Sequence, residues 1–428
     1  MALARRRVAV IVVAGLLVVS VGVLAGVGIA AVRAGGPAAT STQPDPTAVL
    51  VPAIDRNVAA ARRAVAVALP KRLGAPAPTL GAGSFPTPLP SHQVVGFLPY
   101  WEVASFTPDY ASLTTLAYFA VNVANGGGFD ESPKTDPGWV TFRSPALASV
   151  ITHAHAAGVR VLLTTFADTT KVLHSLASAP TRSAARLSAA VAGQLRAKGL
   201  DGVDLDLEGT GSADRAGFVK FVAAFSTDLH RIDPRWPIVL NTYASSAFDS
   251  TGFFDVKALS PHVDQLFVMA YDMQTNDLPS PTAPLTNAAM SDALALAEYA
   301  TVVPISHVVL GIPYYGYDFP ASRRTLPAVA TGRPVAVTYA AVVAAGHPPL
   351  WDPATETPWT SAHRGGKWHQ TWFDDPVSVA LKSALASQFR CAGVGVWDLG
   401  MSGGDPVITS ALLGRSAPVK LPLVPAAP

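Results

Sequence analysis

Residues 201–209 read Asp201-Gly202-Val203-Asp204-Leu205-Asp206-Leu207-Glu208-Gly209. Side chains on a β-strand alternate between faces, so Asp204, Asp206 and Glu208 project to one side and Val203, Leu205 and Leu207 to the other. A strand with one acidic and one apolar face needs apolar neighbours outside and an enclosed polar space inside. A barrel of parallel strands wrapped in helices supplies both. The three acids then share that interior, where close like charges cannot all ionise and at least one proton is retained.

Outward from this strand, short β-rich runs alternate with helical windows, as a parallel barrel requires. The candidate strands are Val94 to Leu98, Thr115 to Val121, Val159 to Thr165, Gly202 to Leu207, Ile238 to Thr242, Gln265 to Ala270, His307 to Ile312 and Gly393 to Trp397. Windows such as Pro145 to Ala157, Ser183 to Lys198, Ala213 to Ile232 and Met290 to Val302 carry apolar residues at helical spacing. The fold expected is a (β/α)8 TIM barrel over residues 91–416. Its longest connection, about 317–392, lies between strands seven and eight and is too long to lack structure of its own, so it reads as a small α/β insertion. Because barrel sites lie at the C-terminal strand ends, this insertion is placed to wall a groove.

Ahead of the barrel, Arg5, Arg6 and Arg7 precede an uncharged run from Val8 to Val32. That run is long enough to span a bilayer, and the short basic side before it orients the N-terminus inward. Residues 1–34 therefore read as an uncleaved signal anchor, with cleavage near Ala31 or Ala34 as the alternative. Residues 35–90, rich in Pro, Ala, Ser and Thr, read as a stalk that carries the barrel outside the membrane, and 417–428 as a C-terminal tail. The chain of 428 residues is 50% hydrophobic with a net charge of +2, so no basic face argues for nucleic acid. Its single cysteine, Cys391, excludes an intramolecular disulfide and a cysteine-based zinc site.

The acidic strand suits hydrolysis of glycosidic bonds, since a proton donor to a leaving oxygen needs a raised pKa. Glu208, last on the strand and nearest the mouth, is the expected general acid. Asp206 shares its proton and orients a substrate group, Asp204 tunes the pair from deeper in, and Asp201 lies out of phase. The competing readings are a divalent cation site and a structural network. Three carboxylates in a row on one strand cannot encircle an ion unaided, and three buried acids are costly as mere structure.

The segment resembles the Asp-x-x-Asp-x-Asp-x-Glu signature of glycoside hydrolase family 18, the chitinase-like barrels, at all four positions. The resemblance continues in Met269-Ala-Tyr271-Asp272, Gly96-Phe-Leu-Pro-Tyr-Trp101 and Gly393-Val-Gly-Val-Trp397, in that family's order. With Trp372-Phe-Asp-Asp375 and Lys382, the chain is most similar to the bacterial cell-wall and spore-cortex branch. The resemblance implies a retaining mechanism in which Glu208 protonates the glycosidic oxygen and the substrate's own N-acetyl oxygen attacks the anomeric carbon. This is a known exception to the two-carboxylate scheme. It further implies that Asp206 holds the acetamido nitrogen, Tyr271 its carbonyl, and Asp272 the same sugar, without metal or organic cofactor.

Trp397 is expected to form the floor under that sugar, with barrel packing as its competing reading. Trp101 is a further substrate-binding candidate; it, Tyr314 and Tyr315 fall near strand ends, where rim packing competes. The implied partner is an N-acetylglucosamine-containing polysaccharide, peptidoglycan or chitin, bound by a monomer that reaches the membrane only through its N-terminal helix. One departure stands at the third strand, where many family members carry Ser-x-Gly-Gly and this chain reads Thr164-Thr-Phe-Ala167, which bears on the tuning of Asp204. Two other functions compete: a carbohydrate-binding protein on the same barrel without turnover, and a phosphometabolite enzyme using Gly400-Met-Ser-Gly-Gly404 as an anion site. Retention of Glu208 favours the hydrolase.

Overall fold

The Val-, Leu- and Phe-rich runs pair side by side as parallel strands in a computed structural model that describes residues 93–413. They are β1 (Gln93–Pro99), β2 (Thr115–Asn122), β3 (Arg160–Ala167), β4 (Gly202–Leu207), β5 (Ile238–Tyr243), β6 (Gln265–Met269) and β7 (Val308–Pro313). The connection after β7 then carries β8 (Tyr315–Ala321), β9 (Val335–Thr338), β10 (Leu350–Asp352), β11 (Thr357–Arg364) and β12 (Lys367–Trp372). The eighth barrel strand is β13 (Gly393–Trp397), which pairs with β7 on one side and β1 on the other and so closes the barrel. Strands covered on both faces read as continuous apolar runs, and β4 and β7 are buried along their whole length.

Inside, Val95, Phe97, Ala117, Phe119, Leu162, Val239, Phe267, Met269 and Val309 form one apolar cluster. Phe267 takes the space left by two glycines: a Cβ on Gly311 or on Gly395 would run into its ring. Outside, helix Arg215–Ile232 turns Phe218, Phe221, Val222, Phe225 and Leu229 inward. Helix Pro145–Ala156 starts at Ser144, whose hydroxyl accepts the Leu147 N–H at 3.2 Å. Helix Pro180–Lys198 stops at Gly199, which takes the left-handed conformation at φ 66°.

The second sheet has the order β10-β11-β12-β8-β9, all antiparallel, with helix Tyr339–Ala345 beside it. It spans Tyr315 to Trp372, a narrower insertion than the 317–392 expected. Helix Pro376–Phe389 belongs to the barrel's outer ring, packed on β7 and β13. Its apolar positions cover the barrel just as the other ring helices do, and the turn-rich sequence before it hid that boundary. The expected signal anchor, stalk and tail lie outside the described residues. Among the described residues no helix is long and apolar enough to cross a membrane.

Candidate active site

Asp204 and Asp206 point from β4 into the barrel, with relative exposures of 1% and 4%. Asp204 accepts a 2.9 Å hydrogen bond from the Thr164 hydroxyl of β3 and a 3.4 Å one from the Asn241 amide of β5. Thr164 stands where the family motif departs, and it retains a donor to Asp204. Burial pushes the Asp204 carboxyl up to about 7, against those two hydrogen bonds. Burial, followed by the neighbouring Asp204, pushes Asp206 up to about 8. One oxygen of each carboxyl is buried without a protein partner, which leaves an acceptor or a protonated O–H for a guest molecule.

Glu208 follows directly after β4, its N–H held by the Ala167 carbonyl at 2.7 Å. Gly209 beyond it has no room for a side chain, because a Cβ would run into the Phe253 ring. Burial, then Asp206, Asp168 and Asp272, raise the Glu208 carboxyl well above its ordinary value, against a 3.5 Å hydrogen bond from the Tyr243 hydroxyl. The carboxyl thus favours its protonated form more than an ordinary glutamate does while lying at the C-terminal mouth, which equips it to donate to a leaving oxygen.

Tyr271 and Asp272 follow β6. Burial, reinforced by the carboxyls of Asp206 and Glu208, keeps the Tyr271 phenol protonated and therefore a donor. Asp272 sits in the left-handed region at φ 57°, an uncommon conformation for a residue with a Cβ. Its backbone N–H donates to the Thr282 hydroxyl at 3.1 Å. One carboxyl oxygen accepts from the Tyr315 and Tyr317 hydroxyls at 2.8 and 2.9 Å. Burial raises this carboxyl and the hydroxyls of Tyr315, Tyr317 and Thr282 oppose that rise. Because Tyr315 and Tyr317 lie on β8, the first strand of the insertion completes the site rather than merely walling it.

The Asp272 loop is fastened from behind. Lys382, on helix Pro376–Phe389, donates to the Ala283 carbonyl at 2.6 Å and to Asp374 at 3.0 Å, and stands 3.0 Å from Asp292 outside hydrogen-bonding direction. All three charged groups are at most 1% exposed. Burial works against the ammonium, but Asp292 and Asp374 together outweigh it and hold Lys382 charged.

Trp397 ends β13 and packs against the interior cluster, with its ring 4.5 Å from that of Phe119 and 5.7 Å from that of Phe97. Trp101, 37% exposed, lies at the rim after β1 and meets Phe119 edge-on at 6.3 Å. Phe119 therefore joins both tryptophans in one aromatic row. Of the residues singled out in the sequence, Asp204, Asp206 and Glu208 converge with Tyr271 and Asp272 on the mouth. Asp201 stays outside, accepting the Val161 N–H at 2.7 Å and facing His155 at 2.8 Å.

Sequence reasoning missed Asn241, Tyr243, Asp168 and Tyr317. The first two alternate with apolar residues along β5, and that period marks them as facing the acids. Gly400 to Gly404 offers no anion cradle, because the N–H groups of Gly400, Met401, Gly403 and Gly404 are taken by Glu102, Asp398, the Gly400 carbonyl and Ser402.

Among curated proteins, the chain is 24% identical over 244 residues to YdhD of Bacillus subtilis, provisionally named a sporulation-specific glycosylase, across 55% of this chain and 56% of that one. It thus spans little more than half of that relative's length. With the di-N-acetylchitobiase of Rattus norvegicus it is 23% identical over 274 residues, covering 59% of this chain and 73% of the other. Among solved structures, a family 18 chitinase from Cycas revoluta in complex with (GlcNAc)3 superposes with a TM-score of 0.65 at 20% identity, over 76% of this chain and 98% of that one. Residues 93–402, most of the chain and the whole of the closed barrel, match glycosyl hydrolases family 18, and the chain belongs to that family of glycoside hydrolases.

Proposed function

We propose that this hydrolase cleaves β-1,4 bonds next to N-acetylglucosamine in peptidoglycan or chitin, with retention of configuration and with the substrate's acetamido group as nucleophile. The observation that carries the reading is the position of Glu208. It is a carboxyl at the strand end whose burial and acidic neighbours favour the protonated form, with Asp206 directly behind it on the same face.

Glu208 gives its proton to the glycosidic oxygen as the bond to the anomeric carbon breaks. The N-acetyl oxygen closes on that carbon to form an oxazolinium, whose positive nitrogen bears an N–H. Asp206, with a buried oxygen free of protein partners, accepts from that N–H and stabilises the charge. The Tyr271 phenol donates to the acetamido oxygen and sets its direction of attack. Water then attacks the anomeric carbon and displaces the acetamido oxygen, reopening the oxazolinium to the N-acetyl group, while the Glu208 carboxylate takes the water's proton and the enzyme returns to its starting state. Asp272 supports the same sugar, and Trp397 and Trp101 supply apolar faces for pyranose rings.

The N-terminal anchor reading places this reaction outside the cytoplasm, where both polymers are found. The test is product release by the full-length chain from peptidoglycan and, in parallel, from N-acetylglucosamine oligomers, with Glu208→Gln as control. Cleavage abolished in the control supports the assignment, and cleavage that persists in it overturns the role of Glu208. Binding without cleavage by the unaltered chain identifies the carbohydrate-binding alternative instead.

A further inference from the structure

A second pair of carboxyls, one half-buried and one fully buried, lies at the mouth outside the acidic strand. Glu102 directly follows Trp101, and Asp398, 0% exposed, directly follows Trp397. Glu102 Oε2 accepts the Gly400 N–H at 3.1 Å, and Asp398 Oδ1 accepts the Met401 N–H at 3.0 Å. The remaining Asp398 oxygen is buried without a hydrogen-bond partner, and the neighbouring Glu102 carboxyl acts on Asp398. The Glu102 carboxyl lies directly over Gly400, where a Cβ would displace it.

The backbone around the pair is fixed independently. The Leu399 N–H donates to the Phe97 carbonyl at 3.0 Å and the Glu102 N–H to the Pro99 carbonyl at 2.9 Å. The two carboxyls are therefore neighbours across the β1–β13 seam, both beside the Gly400 N–H and each one residue beyond a tryptophan of the aromatic row. Two adjacent carboxyls out of water share a proton, because neither tolerates a second negative charge beside it.

We propose that the Glu102–Asp398 pair is a proton-locked clamp that holds Trp101 and Trp397 on either side of Phe119, closed while the carboxyls share a proton and loosened when both ionise. The role of the two tryptophans as a sugar platform rests on the function proposed above. Among the described residues, the titratable groups acting on the pair are the two carboxyls themselves, and the other contributors are the backbone N–H groups of Gly400 and Met401. Burial pushes Glu102 up to about 7, so the clamp gives way on the alkaline side. Glu102 and Asp398 are positioning residues and touch no reacting atom.

The experiment compares the full-length chain with Glu102→Gln, whose amide donates to Asp398 without itself titrating and whose oxygen still accepts from Gly400. Tryptophan fluorescence quenching by acrylamide is followed from about pH 5 to about pH 9, a range on both sides of the value of about 7 to which burial moves Glu102. A Trp101→Phe variant identifies the Trp101 signal by difference. Quenching of Trp101 is expected to rise with pH in the unaltered chain and to stay flat in Glu102→Gln. KM for N-acetylglucosamine oligomers is expected to rise roughly five-fold over the same range in the unaltered chain only, as stacking is lost. The alkaline fall in kcat, set by Glu208, is common to both. A Trp101 signal independent of pH, or one that moves equally in the variant, overturns the clamp. The fluorescence arm needs no substrate, so its failure is separate from a failure of hydrolysis, which would strike the proposed function instead.

Discussion

Asp292 and Asp374 are as deeply buried as Asp204 and Asp206, yet the first two flank the ammonium of Lys382 at 3.0 Å. No lysine or arginine among the described residues acts on the second two; hydroxyl and amide donors from Thr164 and Asn241 are all they receive. Lys382 and its partners tie a ring helix to the loop that carries Asp272, an architectural task. On β4 the missing cation leaves protons in the interior that the chemistry can spend. Burial raises acids in both places, with Asp292 pushed up to about 7, so burial alone does not distinguish a reactive carboxyl from a structural one. The counter-charge does.

The largest effect that sharpens this contrast is Glu208→Gln. Loss of the proton donor is expected to lower kcat by roughly 10²–10⁴-fold, while the urea unfolding midpoint does not fall, because no compensated charge is broken. Lys382→Met is expected to do the opposite to the fold. Leaving two buried acids without their cation costs about 3–5 kcal/mol in urea unfolding, and a variant as stable as the parent would break the comparison.

Asp206→Asn removes the carboxyl that raises Glu208. The acid then loses its proton more readily, and the alkaline limb of kcat/KM is expected to move to lower pH by about one unit, read from a pH–rate profile. Stability should also depend on pH with a definite sign. Asp204 and Asp206 are raised in the folded state from ordinary values near 3.8 to about 7 and about 8. The folded chain therefore holds more protons than the unfolded one across that interval, and stability declines as pH rises through it. The smallest effect belongs to Tyr317→Phe. One of the two tyrosine donors to Asp272 is lost, at about 1 kcal/mol or a several-fold rise in KM for N-acetylglucosamine oligomers.

How much of this was legible beforehand depends on whether a local period carried it. Most barrel strands were readable because burial on both faces makes them rich in apolar and β-branched residues. Strand β4 was readable from its alternation of acidic and apolar side chains and matched at both ends, Gly202 and Leu207. The convergence of Asp204, Asp206 and Glu208 followed from alternation alone. The contributions of Tyr315 and Tyr317 were not readable, since they reach Asp272 across more than forty residues of chain. Lys382 lies further still from Ala283. Glu102 and Asp398 are nearly three hundred residues apart in sequence and adjacent only because β1 and β13 close the barrel. Pairings made by closure leave no periodic trace in either partner.

Phe267, seated in the room left by Gly311 and Gly395, packs the barrel interior with its ring. Glu208 lies at the strand end, so in the proposed reaction its protons exchange through the mouth where the sugar binds. A seated polymer is both reactant and lid, so the number of protons in the chamber is fixed from the moment it docks until one product departs.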